Sequence, residues 1–353
     1  MFMKDELKKF LTKKVKAIEV KTPKKISQLL SEMKRTGFQG RKLAEVVEII
    51  ERMIKEKDLM IILGYAGSLS TTGQWKIINW LIENRYLDVL VATGANLSED
   101  IVEVMGKSYY QGSHLVSDEI LFKLGLNRYY DVYGREDDYL KMTELIADFI
   151  LTLNENYNYS SREFLALFGD WLWKKRIKSI VATAAYYKVP VFCPAIVDSP
   201  YGDAGLIAKS KGFNLILDNM KDYVEFMSLG GKVKKTGVIY IGGGVPKDFI
   251  QLLAVTSDLL FKDKKIPGRK SEKRLLTDET YYPHKYAVQI TTDSPQWGGL
   301  SGATLDEGVS WGKEVPKREN YAQCFCEATI ALPIIAHTLA ERKLKRKGIT
   351  FDF

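Results

Sequence analysis

The stretch Leu59-Met-Ile-Ile-Leu63-Gly64-Tyr-Ala-Gly67-Ser-Leu-Ser-Thr-Thr-Gly73 decides the fold. Five apolar residues without alternation are the pattern of a strand buried on both faces, and the glycine- and hydroxyl-rich turn gives way to a helical pattern over Gln74–Glu83. The same grammar returns three times. Asp88–Ala92 runs into Thr93-Gly-Ala-Asn96-Leu-Ser-Glu-Asp100 and a helix over Glu99–Met105. Val189–Phe192 leads to Cys193-Pro-Ala-Ile-Val-Asp198-Ser-Pro-Tyr-Gly202-Asp203, and Val238–Ile241 to Gly242-Gly-Gly-Val-Pro246-Lys-Asp248. Leu215–Leu217 and Tyr286–Ile290 are further strand candidates, and Asp138–Leu153 reads as a helix. The class is α/β: a Rossmann-like, doubly wound, mostly parallel sheet with helices on both faces.

Sheets of this kind bind ligands beyond the C-terminal ends of their strands, where loops present backbone N–H groups at helix N-termini. Glycine there lets the backbone approach a phosphate or turn through positive φ. Each loop alone also reads as a plain tight turn; four on one edge favour a nucleotide pocket. Neither G-x-G-x-x-G nor G-x-x-x-x-G-K-[ST] is present, so residue patterns alone stop at an α/β protein with a ligand site on that edge.

Composition sets the bounds. In 353 residues, 46% hydrophobic and 27% charged, nothing suggests a disordered, collagenous or disulfide-scaffold chain. The apolar stretch Ala328–His337 is far shorter than the ~20 residues that span a bilayer, and the N-terminus offers no signal-like apolar run. Cys193, Cys324 and Cys326 form no CxxC pair, so neither a disulfide framework nor a metal site is expected. A cytoplasmic, membrane-free protein follows. The net charge of +8 is concentrated at the ends: residues 1–35 carry about +7 and 341–353 about +3, leaving 36–340 near −2. The expected organisation is a basic arm (1–35), a single catalytic domain (36–340) with an exposed loop at about 263–280, and a basic tail (341–353). Basic ends on a near-neutral body read as solvated termini or as an arm for a partner or another subunit. They make a weak case for a nucleic-acid groove.

Residues 291–313, TTDSPQWGGLSGATLDEGVSWGK, carry the chemistry. A lysine held against an indole can shed solvent and expose a neutral amine able to form a Schiff base. Glu307, six residues before Lys313, supplies a carboxylate for proton transfer or for holding a cation. Lys313 also reads as an ordinary surface lysine on this pattern alone.

The block Gly308-Val-Ser-Trp311-Gly312-Lys313, with Ser301-Gly-Ala and Asp306-Glu307 before it, resembles the active-site segment of deoxyhypusine synthases. Gly64-Tyr…Gly73, Thr93…Glu99-Asp100, Pro194-Ala…Asp198…Gly202-Asp203, Gly242-Gly-Gly244 and Glu327-Ala328-Thr329 agree in order, so the resemblance spans roughly 55–340. It implies NAD-dependent transfer of an aminobutyl group from spermidine. A hydride leaves the carbon beside the secondary amine, diaminopropane departs, the butylimine passes to a lysine and then to an acceptor amine, and the hydride returns. The acceptor is a translation-factor lysine in protein-modifying members and putrescine in homospermidine-forming ones. A homotetramer with sites shared between subunits is also implied.

Position by position, the resemblance makes Lys313 the imine-forming lysine, Trp311 the indole over the substrate chain and Glu307 a carboxylate near the amine. Asp203 becomes a binder of a substrate ammonium. Thr93, Glu99, Asp198, Gly243, Gly244, Thr292, Ser301 and Ala328 match positions around NAD. Several positions depart from the protein-modifying enzymes. Asp248 replaces His and is expected on the substrate, Leu252 replaces Asn, Leu300 Asp and Gln289 Tyr. Around the cofactor, Ser68 replaces Asn, Ser98 Glu and Trp297 Asp. The pattern Gln296-Trp297-Gly298-Gly299-Leu300 resembles the divergent deoxyhypusine synthase-like branch. Such exchanges point to a changed donor or acceptor, or to a homologue that binds NAD or polyamine without turnover.

Overall fold

The computed structural model describes residues 11–277 and 279–353. Residues 1–10 of the basic arm and Asp278 of the 263–280 loop lie outside them. Six parallel strands form the central sheet: β1 (Leu59–Tyr65), β2 (Val89–Ala92), β3 (Val191–Phe192), β4 (Lys235–Ile241), β5 (Tyr286–Thr291) and β6 (Tyr321–Phe325). They lie in the order β6-β5-β4-β1-β2-β3, so the sequence direction of neighbours reverses between β1 and β4.

The unalternating strands are buried on both sides, as their composition demands. Ile61, Leu63 and Tyr65 of β1, with Ile239 and Ile241 of β4, face one apolar cluster. It is closed by α1 (Ile26–Met33), α2 (Phe38–Lys55), α3 (Trp75–Glu83), α4 (Glu136–Ile150), α5 (Ser161–Lys174), α6 (Ile180–Tyr186), α7 (Pro200–Ser210) and, at its far end, the helix Ala328–Arg342. The intervening Met60, Ile62, Val238 and Tyr240 face a second cluster built on α8 (Asn219–Lys232), α9 (Gly244–Val255) and α10 (Leu305–Ser310), with Phe226, Leu253 and Leu305 at its centre. The helix Ala328–Arg342 is α11.

Three expectations change. Leu215–Leu217 forms no central strand: Ile216–Leu217 pairs with Asn158–Tyr159 in a two-stranded sheet of its own. β6, with Gln323 in its middle, has no unbroken apolar run and was not expected. The helix expected over Glu99–Met105 is present as Asp100–Val104, but the loop expected before it winds into a helix of its own, Gly94–Ser98. Within 263–280, the antiparallel pair Glu272–Lys273 and Thr280–Tyr281 leaves Leu275 and Leu276 at its tip fully exposed, while Ile266 and Arg269 are buried.

The basic ends are not simply solvated. α1 docks on α11, where the Glu341 carboxylate accepts from Ile26 N (3.2 Å) and Ser27 N (2.9 Å) and so caps the helix. Beyond α11 the chain crosses the N-terminal edge of the sheet. Arg346, its side chain 4% exposed, donates to both oxygens of the fully buried Asp88 and to the carbonyls of Arg85 and Leu59. Asp88 also accepts from Ile61 N (2.8 Å) and Ile349 N (2.7 Å). Phe353 ends the strap against the Arg162 guanidinium, 4.2 Å from its ring centre.

Removing one partner of a buried pair leaves the other charged and dry, at a cost of about 3–5 kcal/mol. Arg346→Ala should therefore lower the stability measured by urea unfolding by about that amount; a loss below about 1 kcal/mol, the range of an exposed pair, would show that the strap carries no load.

Candidate active site

The strand ends on the C-terminal edge are held level by backbone hydrogen bonds. Ala66 N donates to Ile241 O (3.0 Å) and Gly242 N to Ile290 O (2.8 Å), so the turns after β1, β4 and β5 leave from one line. Gly242 and Gly244 both turn through positive φ, at +71° and +60°. Gly243 meets Ser301 backbone to backbone: a Cβ there would lie 2.3 Å from Ser301 Cα. Ser301 Oγ accepts from Gly244 N (3.1 Å). The triple-glycine turn and the Ser-Gly-Ala turn thus form one surface.

A buried lysine fastens that surface. Lys247, in the first turn of α9, donates to Gln289 Oε1 (3.0 Å), Leu300 O (3.0 Å) and Ala303 O (2.7 Å). Gln289 Nε2 in turn donates to Gly242 O and Ser301 O, both 2.9 Å. Burial pulls the ammonium down to about 8. Gln289 therefore holds the loop rather than a substrate. Neither role was read from sequence, although Lys247 lies on the helical face shared with buried Ile250 and Gln251.

The Trp311-Gly312-Lys313 turn follows α10, whose first turn is capped reciprocally. Thr304 Oγ1 accepts from Glu307 N (3.1 Å), and Glu307 Oε2 accepts from Thr304 N (2.6 Å). Glu307 is exposed, and its carboxylate turns back to the cap rather than toward Lys313. Gly312, at φ +79°, lies against the Tyr281 ring. Lys313 is 9% exposed, and its Nζ donates to Asp248 Oδ1 (3.0 Å) and Gln251 Oε1 (3.2 Å), 4.9 Å from the Trp311 ring centre. Its main chain is tied to His284, whose N–H donates to Lys313 O (2.8 Å) and whose carbonyl accepts from Val315 N (3.1 Å). The His284 ring sits between Thr236 Oγ1 (2.8 Å) and Ile250 O (3.2 Å). A carbonyl can only accept, so Nε2 carries the proton. Burial first, then the charges of Arg269 and Lys313, push this imidazole down to about 3, so it stays neutral.

A second group gathers at the end of β2. Thr93 precedes the short helix Gly94–Ser98, and its Oγ1 accepts from Asn96 Nδ2 (2.9 Å). Glu99 and Asp100 are both buried, and Glu99 Oε2 and Asp100 Oδ1 have no hydrogen-bond partner among the described residues. Burial raises each carboxyl to about 7, with Asp100 adding to the rise of Glu99. Tyr139 of α4 is pushed up to about 12 by burial and then by the charges of Asp203 and Glu99, which places both acids near it. Asp198 and Asp203 are exposed, and no hydrogen bond or ion pair joins either to the Lys313 group among the described residues. Thr292 is exposed just past β5, and Ala328 opens α11 beneath the Glu327 cap.

The sequence candidates thus fall into two assemblies within one chain. Lys313, Trp311 and Asp248 meet directly beside the Gly243–Gly244–Ser301 surface, whereas Thr93, Glu99 and Asp203 lie across the edge near β2. Among the departures, Ser68 Oγ bonds to Thr71 Oγ1 (2.6 Å), Ser98 Oγ donates to Gly94 O (3.0 Å) and Trp297 is exposed. Among the described residues no three His, Cys, Asp or Glu side chains are arranged to hold a metal, and no helix is long and apolar enough to cross a membrane.

Residues 28–339 match the family model "Deoxyhypusine synthase". The chain is 44% identical over 340 residues to a "Probable deoxyhypusine synthase 2" of Methanosarcina mazei, covering 95% of this chain and 93% of that one. It is 35% identical over 333 residues to a "Deoxyhypusine synthase-like protein" of Chlorobaculum tepidum, covering 93% and 89%. Among solved structures, a "putative deoxyhypusine synthase" of Entamoeba histolytica has the same fold, with a TM-score of 0.60 at 18% identity over 94% of this chain and 99% of that one.

The buried carboxyl pair sets a pH signature. Each folded value, about 7, lies above the ordinary unfolded values near 4, so the stabilising preference for the proton is complete below pH 4 and is lost as pH rises to 7. Asp100→Asn should flatten the fall in thermal midpoint between pH 4 and 7 relative to the unaltered protein; parallel pH curves would show that Asp100 ionises normally.

Proposed function

The chain belongs to the deoxyhypusine synthase family, and on that premise we propose that it is an NAD-dependent transferase moving an aminobutyl group from spermidine or a related polyamine, through an imine on Lys313, to an acceptor amine. The observation that carries this reading is the Lys313 amine itself, nine-tenths buried yet in contact with a half-exposed carboxylate, Asp248, and an indole face. A linear polycation is recognised by such a pairing, through charge-assisted hydrogen bonds and cation–π attraction.

The residues present fit a dinucleotide. The strand order supports the doubly wound reading, whose ligand crevice opens where the order reverses, here between β1 and β4. Gly243, Gly244, Ser301 and Thr292 line that end of the sheet, and the unpartnered Glu99 Oε2 suits a ribose hydroxyl, with Thr93, Asp198 and Ala328 completing the set. Held by these residues, NAD would supply a hydride acceptor for the carbon beside the donor's secondary amine and a hydride donor for the return step.

Lys313 must be neutral to attack the oxidised donor carbon. Asp248 Oδ1, at 3.0 Å, receives the ammonium proton and exchanges it with water. The amine then forms a bond to the imine carbon, and the bond to diaminopropane breaks with a proton delivered to the leaving nitrogen. The cationic imine rests against Trp311. An acceptor amine next takes the four-carbon fragment and releases Lys313. No hydrogen bond or ion pair joins Asp203 to this group among the described residues, which supports a homotetramer whose sites draw on neighbouring copies. In that assembly Asp203 binds a distal ammonium.

A translation-factor lysine and putrescine both satisfy this scheme as acceptors. Retention of Lys313, Trp311 and Asp248 in contact argues against an inactive binding homologue. The setting of such chemistry is the cytoplasm.

Incubation with NAD and spermidine followed by borohydride should leave an aminobutyl adduct on the peptide containing Lys313, detected by mass spectrometry. Protein that binds NAD but yields no adduct would overturn the imine reading. Lys313→Ala should lose transfer while donor cleavage persists, because hydride removal does not use the amine. Asp203→Asn should raise the donor KM roughly tenfold to hundredfold, the value of one charged hydrogen bond.

A further inference from the structure

On its inner side, away from Asp248, the Lys313 amine is held by a second chain of contacts that the reaction scheme above does not use. Gln251 Oε1 accepts from Lys313 Nζ at 3.2 Å, and Gln251 Nε2 donates to Glu314 Oε1 at 3.0 Å. A carboxamide can face either way, and its two ends differ little in shape. Here the ammonium requires the oxygen end, and an acceptor at the other end keeps the nitrogen there. Glu314 is that acceptor. Its carboxyl group is almost fully buried, and Oε2 has no partner among the described residues. Room for it exists only because position 308 is glycine: a Cβ on Gly308 would lie 1.9 Å from Glu314 Oε2. The segment that carries the lysine thus also carries a space reserved for an acid.

We propose that Glu314 is a positioning residue for Lys313: through the Gln251 carboxamide it holds the amine in place, and its own proton sets the pH at which that amine becomes a nucleophile. The groups bearing on the pair are few. Lys247 and Asp248 face it from α9, Tyr240 from β4, His284 from the start of β5, and Glu307 from α10 adds its charge near Lys247. His284 is neutral, as shown above. Burial raises the Glu314 carboxyl to about 7, with Gln251, Lys247 and Lys313 opposing the rise. Below that pH, Asp248 is the one carboxylate set against Lys313 from these elements, and the amine gives up its proton more readily. Above it, a second negative charge two hydrogen bonds away favours the ammonium. The site therefore resists becoming more nucleophilic as the medium turns alkaline.

This inference rests on the reading of Lys313 as the reacting amine, but its test does not need turnover. The rate of reductive methylation of Lys313 by formaldehyde and cyanoborohydride, followed by mass spectrometry of its peptide across pH 6–11, reports the neutral amine directly. One charge two hydrogen bonds away, at an effective dielectric constant of ~20, displaces an amine midpoint by roughly one to two pH units. Glu314→Gln keeps a hydrogen-bond acceptor and removes the charge, so the Lys313 midpoint should fall by about one unit. A midpoint equal to that of the unaltered chain overturns the proposal. Should the variant fail to fold, the unaltered protein decides. Its labelling rate should rise in two steps, flattening as Glu314 ionises, and a single-step curve overturns the proposal. A shifted midpoint in a protein that forms no borohydride-trapped adduct with spermidine would support the role of Glu314 while refuting the imine reading.

Discussion

An ammonium group shut away from water needs an acceptor for each of its three hydrogens, and the architecture of the strand edge follows from how Lys247 finds them. Two of the three are main-chain carbonyls of the loop before α10. The loop is thereby drawn down onto the ends of β4 and β5, close enough that only glycine fits at position 243. Fixing that loop fixes the start of α10, and α10 in turn sets the Trp311–Lys313 turn. Loosening this anchorage would therefore be felt at Lys313, although Lys247 itself touches no reacting group.

Much of this was legible in sequence. Unalternating apolar runs followed by glycine-rich or small polar turns gave strands β1 to β4, because a strand covered on both faces has little room for polar residues, and the apolar start of Tyr286–Ile290 gave β5. β6 escaped because Gln323 leaves it only two apolar residues on either side, fewer than the Tyr286–Val288 run that marks β5, and Leu215–Leu217 misled because a three-residue apolar run serves a peripheral ladder as well as a central one. At the site, the meeting of Lys313 with Trp311 followed from their adjacency. The approach of Asp248 came from a different element, and the resemblance alone supplied it. Glu307 shows the opposite lesson. Thr304-Leu-Asp-Glu307 is a capping-box pattern, and that local duty also engages the carboxylate expected near the amine. Lys247, Gln251 and Glu314 stayed hidden because polar residue types carry a strong expectation of exposure, and nothing in their spacing says that partners await them inside.

The two assemblies along the strand edge differ in electrical character. Around β2, Glu99 and Asp100 are neighbouring acids without a cation between them, and both hold protons unusually tightly. Around α9 and α10, Lys247 and Lys313 are interleaved with Asp248 and Glu314, so charge is nearly balanced over a few ångströms. Carboxyls that keep their protons suit hydrogen bonding to uncharged hydroxyl groups, whereas the balanced charges around α9 and α10 let a proton move between neighbours.

The strap across the far edge of the sheet has a consequence for how the chain is made. Asp88 and Arg346 stand 258 residues apart, so the guanidinium is made only after all six strands of the central sheet. Until then, the carboxylate that opens β2 has Arg85 near it but lacks the guanidinium that meets both its oxygens. Messages cut short before that codon would yield proteins with every reactive side chain present yet a persistent fault at their heart, which is the kind of defect that cellular proteases recognise.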